Sequence, residues 1–128
     1  MISSLNHHEF AGENGKEIFR LIHAAQWNKK TQILKNFYLT KIKSDFTIEK
    51  PEGMFDLIYF DAFGPDKQPE MWTNEIFSSI SAITKKHGIL VTYSAKGAVK
   101  RSLKECGFEV SLLPGPPGKR QMIRAVKI

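Results

Sequence analysis

The chain has a single cysteine, Cys106, among its 128 residues. One thiol excludes an internal disulfide and any cysteine-based metal cluster, a usage that fits a reducing compartment and sets a cytoplasmic expectation. No apolar run approaches the ~20 residues needed to span a bilayer, so no membrane partner is expected. The stretch from Met1 to Glu9 lacks the basic flank and apolar core of a secretory leader. There is no long basic tail either. The cations are dispersed, with local concentrations at Lys41 and Lys43, Lys85 and Lys86, Lys96 to Lys104, and Lys119 to Arg124. His7, His8 and His23 have no companion acid at ligand spacing, which favours surface or packing roles and no metal. No internal repeat or low-complexity segment interrupts the chain.

What is present is a modest positive balance, +6 from 19 Lys and Arg against 13 Asp and Glu, with an isoelectric point near 9.5. That balance is compatible with a polyanionic partner such as RNA without requiring one. The length suits one domain with a real core.

The stretch from Phe55 to Pro65 organises the rest. Leu57, Ile58, Tyr59 and Phe60 form an apolar, β-prone run between Asp56 and Asp61, which predicts a strand buried on both faces of a parallel sheet. Ala62, Phe63, Gly64 and Pro65 then predict a loop. Ligands of open α/β sheets bind at the carboxyl ends of strands, so Asp61 is either a site acid or the cap of the following turn.

In chain order, residues 1 to 8 carry little pattern and read as a frayed end. Ile18, Leu21, Ile22 and Ala25 predict a helix from about Gly15 to Ala25. A strand is expected near Asn36 to Ile42, after a short helical turn, and Asp45 through Gly53 reads as punctuation. Pro69 and Glu70 predict a helix start, with Trp72, Ile76, Ile80 and Ile83 as its buried stripe and Gly88 as its stop. Ile89 to Tyr93 is a second buried-type strand. Ala98 to Cys106 is a helix stopped by Gly107. Phe108 to Leu113 and Gln121 to Ile128 are strands joined by the loop from Pro114 to Gly118.

The order from residue 54 is therefore β-α-β-α-β-β. It implies right-handed crossovers, a mostly parallel sheet, and an antiparallel hairpin of the last two strands at one edge.

This arrangement resembles the Rossmann-like, class I S-adenosylmethionine-dependent methyltransferases, and the residues narrow the likeness. Asp61, Ala62, Phe63, Pro65, Pro69, Trp72 and Thr73 fall in a D-[AG]-F-x-P-x-x-x-P-x-x-W-[ST] pattern. It is similar to that of the methyltransferase domain of MnmC-type tRNA wobble-uridine enzymes. Thr92 to Arg101 resembles T-[YF]-[ST]-A-x-G-x-V-R-R, and Pro114 to Met122 resembles P-G-x-G-x-K-R-E-M. The matches run in order from residue 55 to 122.

The resemblance implies methyl transfer from S-adenosyl-L-methionine to the aminomethyl nitrogen on C5 of a uridine in tRNA. It implies Asp61 as the catalytic acid beside the methyl donor, and Asp45 as a second cofactor contact at the adenine. Phe63 and Pro65 become the uridine pocket, and Lys96, Lys100, Arg101, Lys119 and Arg120 become phosphate contacts. Trp72 could stack on the base, but its place in the helical stripe favours core packing; Tyr93 suits the core and the rim equally.

Some family members carry a fused flavin-dependent oxidoreductase acting on CH–NH donors; no segment here resembles a flavin-binding one. The family's glycine-rich cofactor turn is also unmatched, since Gly12 and Gly15 follow no strand. The expectation is thus the C-terminal portion of such a domain, lacking its first strands and inactive alone, with residues 1–53 a helical, linking segment bearing one strand. An edge so exposed predicts self-association. A non-catalytic α/β module binding RNA or a partner, and another small-molecule enzyme on a similar sheet, stay open as alternatives.

Overall fold

The computed structural model describes residues 7–118 and 121–128, with side chains from residue 14 onward. Of the end expected to be frayed at residues 1–8, residues 1–6 lie outside the described residues, as do Lys119 and Arg120, while His7 and His8 begin a helix. Contacts group the chain into two compact units, Met1–Ser44 and Asp45–Ile128, and the boundary falls ahead of the one expected at residue 53.

The first unit holds helix α1 (His7–Ala24) and an antiparallel hairpin of β1 (Thr31–Leu34) and β2 (Phe37–Leu39). Helix α1 starts well before Gly15 and runs through both glycines. Gly12 and Gly15 each cost about 1 kcal/mol against alanine there, which lowers helical preference without stopping the helix. The single strand expected at 36–42 is instead two short strands turned at Lys35 and Asn36. No glycine marks that turn, which hid it. Lys41 holds the end of α1: its Nζ donates to the Ile22 carbonyl at 3.1 Å and the His23 carbonyl at 3.4 Å, as suits a cation at the negative end of a helix.

The second unit carries a four-stranded sheet in the order β3 (Phe55–Phe60), β4 (Thr84–Thr92), β6 (Gln121–Lys127), β5 (Phe108–Pro114). β3 and β4 are parallel; β4 with β6 and β6 with β5 are antiparallel. Among the described strands the sheet is therefore mixed, not mostly parallel. The terminal strands do form the expected hairpin, with β6 entering between β4 and β5.

Helices α2 (Asn74–Ala82) and α3 (Gly97–Glu105) supply the partners of one sheet face. Register places Ile58, Leu90, Ala125 and Val110 in one row of that face, and Phe60, Thr92 and Ile123 in the next. These meet Ile76, Phe77 and Ile80 of α2 and Val99 and Leu103 of α3 in one core. Alternate residues of β3 face the other way. Leu57 is 48% and Tyr59 76% exposed, so β3 is an edge strand covered on one face and not the doubly buried strand its apolar run predicts.

Local chemistry explains the helix ends. Pro69–Met71 forms only a 3₁₀ turn. Helix α2 starts after Thr73, whose hydroxyl accepts from the Ile76 amide at 3.2 Å, an N-cap worth roughly 1 kcal/mol. Trp72 thus precedes the helix. After α2 the chain enters β4 at once, with a register irregularity ahead of Leu57 and Ile89. Gly88 is required here, because a Cβ would come within 2.8 Å of the Lys85 carbonyl oxygen. Gly107, at φ +95, ends α3 in the left-handed conformation that glycine adopts without strain.

Candidate functional site

Asp61 directly follows β3, and three clefts of the second unit share it. One, of about 390 Å³, has an apolar wall that includes Phe46, Pro51, Ile58 and Met71. Another, of about 650 Å³, is lined by Asp61, Phe63, Pro65, Asp66, Tyr93 and Lys96 among others. The last, of about 350 Å³, runs over the ends of β3 and β4 and touches Thr92, Tyr93 and Met122. Asp61 itself is exposed, and no hydrogen bond from another described side chain ties its carboxylate. It is not the side-chain cap of the following turn.

The loop after Asp61 is held by its backbone. The Tyr93 hydroxyl donates to the Ala62 carbonyl at 2.7 Å. Trp72 Nε1 donates to the Phe63 carbonyl at 2.7 Å, and the Phe63 amide donates to Gln68 Oε1 at 3.1 Å. The Trp72 ring is anchored in turn: it meets Phe60 edge-on at 4.9 Å between centroids, and Phe77 and Tyr93 at 6.1 and 6.0 Å. Each such pair adds about 0.5–1.5 kcal/mol beyond burial. Trp72 is a core residue, as its spacing predicts, and also a loop anchor, which its spacing could not show. Phe63, fixed at both peptide groups, is 75% exposed and lines the cleft.

The structure brings Asp61, Phe63, Pro65 and Lys96 to one cleft. Lys96 is paired there with Asp66, Nζ to Oδ1 at 2.7 Å, so its charge is partly balanced. Lys100 and Arg101 lie on α3 and line none of these clefts. Asp45 stands apart as well. Its Oδ1 accepts from the Thr47 amide at 2.9 Å and the Thr47 hydroxyl at 2.5 Å, and these bonds hold its carboxyl below the ordinary aspartate range. Its neighbour Phe46, not Asp45, lines the apolar cleft.

Sequence reasoning passed over three participants: Gln68, the loop-anchoring role of Trp72, and Thr92. Thr92 Oγ1 is buried with no hydrogen-bond partner among the described residues, an arrangement that costs about 1–3 kcal/mol unless something else supplies the bond. On balance the neighbouring groups among the described residues do not activate the lone thiol. Burial pushes Cys106 up from its ordinary value, and its sulfur lies 3.5 Å from the Asn74 carbonyl oxygen.

Comparison with known proteins agrees with this geometry. The family model described as "S-adenosyl-L-methionine-dependent methyltransferase" matches residues 16–128. The tRNA 5-methylaminomethyl-2-thiouridine biosynthesis bifunctional protein MnmC of Campylobacter hominis is 34% identical over 119 residues, covering 91% of this chain and 18% of that protein. Its counterpart in Pseudoalteromonas translucida is 31% identical over 102 residues, 79% of this chain and 15% of that protein. The chain therefore spans less than a fifth of the length of these relatives. Among solved structures, MNMC2 from Aquifex aeolicus superposes with a TM-score of 0.69 at 27% identity, over 89% of this chain and 37% of that one. A Pyrococcus furiosus methyltransferase, at 17% identity and a TM-score of 0.50 over 60% of this chain and 43% of that one, shares the fold. With the model matching most of the chain and the MnmC likeness running through the loop that carries Asp61, the chain belongs to the S-adenosyl-L-methionine-dependent methyltransferase family.

Proposed function

We propose that this chain carries the methyl-transfer chemistry of a tRNA wobble-uridine modification enzyme, acting on the aminomethyl nitrogen at C5 of the base. The observation that carries this reading is Asp61: a free carboxylate at a strand's carboxyl end, on a backbone anchored from three sides, at the meeting point of three clefts.

The residues fit the family's cofactor in one respect. A carboxylate at the mouth of an apolar cleft suits a positively charged sulfonium with carbon substituents. S-adenosyl-L-methionine, when bound, supplies an electrophilic methyl group. Asp61 and the wall that includes Phe46 and Met71 are the residues that would hold it.

The chain's own work is positioning and proton transfer. A substrate amine must be neutral to attack and must lose a proton afterwards. Asp61 accepts its N–H, orients it, and provides the carboxylate that takes up the proton. Phe63 offers a ring on which an extruded base stacks. Holding both on one anchored loop confers the orientation that accounts for much of such a rate, up to ~7–11 kcal/mol for ideally placed partners. Lys96, Lys100 and Arg101 contact phosphates around the site, and Lys119 and Arg120 extend that set from outside the described residues.

The test is transfer of labelled methyl to tRNA bearing aminomethyl-uridine. Asp61→Asn is expected to lower the rate by about 10²–10⁴ with little change in melting temperature. Unchanged turnover in the variant overturns the assignment.

A second reading is a chain that binds RNA without transferring methyl, its cofactor cleft incompletely walled. The observation favouring it is that β1 and β2, the described strands ahead of β3, are joined by Lys35 and Asn36 and not by a glycine-rich turn. Calorimetric titration with S-adenosyl-L-methionine separates the two: binding supports transfer, and its absence leaves RNA binding for the isolated chain.

A further inference from the structure

Between Glu17 and Asp45 the chain has no acidic residue but has Arg20, Lys29, Lys30, Lys35, Lys41 and Lys43. The flanking acids are both engaged: Glu17 pairs with Arg20 at 2.6 Å, and Asp45 accepts from Thr47. Much of the protein's positive balance is thus concentrated on the β1–β2 hairpin and its flanks. Lys41 serves the fold by holding the end of α1. Lys29, Lys30, Lys35 and Lys43 are exposed and have no ion pair among the described residues.

Aromatic rings lie among these cations. Tyr38 is 52% exposed and pairs with Gln32 on the outward hairpin face, beside the exposed Leu34. Lys30 Nζ sits 4.9 Å from its ring centroid. Trp27 is 56% exposed, with Lys41 Nζ 5.0 Å from its ring. Both faces of the hairpin cannot be buried within so small a unit, yet one face leaves a tyrosine ring open where a charged residue would favour solubility. Cations flanking an open aromatic ring match the chemistry that binds a nucleic-acid strand: lysines take phosphates and the ring takes a base.

We infer that the β1–β2 hairpin is an RNA-binding element distinct from the Asp61 cleft, with Lys29, Lys30, Lys35 and Lys43 on phosphates and Tyr38 stacking on a base. The class of partner rests on the proposed tRNA substrate; the location rests on the hairpin alone. Lys30 over Tyr38 keeps the ring oriented before RNA arrives, and a base displacing that ammonium frees it for a phosphate.

The experiment measures binding of the full chain to a fluorescent tRNA transcript across a range of salt concentrations. The variant Lys29→Glu/Lys35→Glu is compared with Lys86→Glu/Lys104→Glu, which makes the same change in net charge on exposed residues of the second unit. The hairpin variant is expected to bind roughly tenfold or more weakly. Its salt slope should fall by about 1.5–2, as two lost phosphate contacts require. The control should change affinity by less than about threefold.

Tyr38→Ala should weaken binding to a single-stranded RNA about fivefold or more and leave binding to heparin, a polyanion without bases, unchanged. Equal losses in both charge variants, or no loss in the hairpin variant, overturn the placement. Equal effects of Tyr38→Ala on RNA and heparin overturn the stacking role. The milder Lys29→Gln/Lys35→Gln variant, checked by its melting curve, keeps the test valid if charge reversal disturbs folding. RNA binding that depends on the hairpin, in a chain that transfers no methyl, supports this inference while defeating the proposed activity.

Discussion

Replacing Trp72 by phenylalanine tests whether the loop bearing Asp61 is anchored by the indole. Phenylalanine keeps a ring among Phe60, Phe77 and Tyr93, so most of the aromatic packing survives. What is lost is the Nε1 donor to the Phe63 carbonyl, a 2.7 Å hydrogen bond, and the volume of the second ring. The hydrogen bond contributes about 0.5–1.5 kcal/mol if water reaches the freed carbonyl. The missing ring atoms, at a site only 9% exposed, remove about 1–2 kcal/mol of burial and packing. The sum is about 1.5–3.5 kcal/mol, which in a domain of this size lowers the melting temperature by roughly 6–20 °C. Thermal and urea unfolding measure it. Tyr93→Phe removes only the hydroxyl that donates to the Ala62 carbonyl and should cost about 0.5–1.5 kcal/mol. Because both bonds restrain adjacent peptide groups, the double variant should depart from additivity by more than about 0.5 kcal/mol. Hydrogen exchange at the Phe63 amide should quicken in each. A Trp72→Phe variant within 0.5 kcal/mol of the parent, with unchanged exchange at Phe63, would refute the anchoring argument.

Two further outcomes follow from the same geometry. The turn after Asp45 depends on an ionised carboxylate accepting from Thr47, and the Asp45 value is lowered in the folded chain. Its contribution is therefore full above the ordinary aspartate range and is lost as pH falls through the lowered value; protection of the Thr47 amide should decline on acidification in the parent and be low at every pH in Asp45→Ala. The outer edge of β3 carries no described strand, and Leu57 and Tyr59 are open beside it, so the chain should self-associate through β3 in sedimentation experiments. Leu57→Lys should shift it towards monomer, and a parent that is monomeric at high concentration sinks the idea.

The sequence was most legible where local chemistry and tertiary need coincide. Ile89 to Tyr93 and Phe108 to Leu113 are apolar enough to read as strands, and the stop at Gly107 follows from a φ that glycine adopts without strain, whereas Gly88, expected to stop the helix before it, lies inside β4, where a Cβ would meet the Lys85 carbonyl oxygen. It was least legible where a weak local signal was overruled. The hairpin has one well-buried hydrophobe, Ile33, and its turn carries a single favourable residue, Asn36, which was read as the start of a strand. Helix α1 tolerates two glycines because its other residues outweigh them. The apolar run of β3 has the composition of a doubly buried strand, and composition cannot tell whether a second layer is there to cover it. Asp61 was legible as a strand-end acid. The partners of its loop were not, since Tyr93 reaches Ala62 across 31 positions of sequence.

This division bears on how the site works. At Asp61 the side chain is free while the peptide groups just after it are bound by Tyr93, Trp72 and Gln68. Under the proposed role of Asp61, position is supplied by one set of residues and reactivity by another. Substituting Asp61 should therefore change chemistry and leave the fold intact, whereas substituting Trp72 should loosen the loop and weaken chemistry only through the carboxylate's position. A tightly bonded carboxylate would have been as well placed but less able to exchange a proton. An untethered loop would have left the acid reactive yet without a defined direction. Anchoring the backbone and freeing the side chain meets both requirements, and the Trp72 indole, rooted in the core and hydrogen-bonded to the loop, connects the stability of the sheet to the geometry of the site.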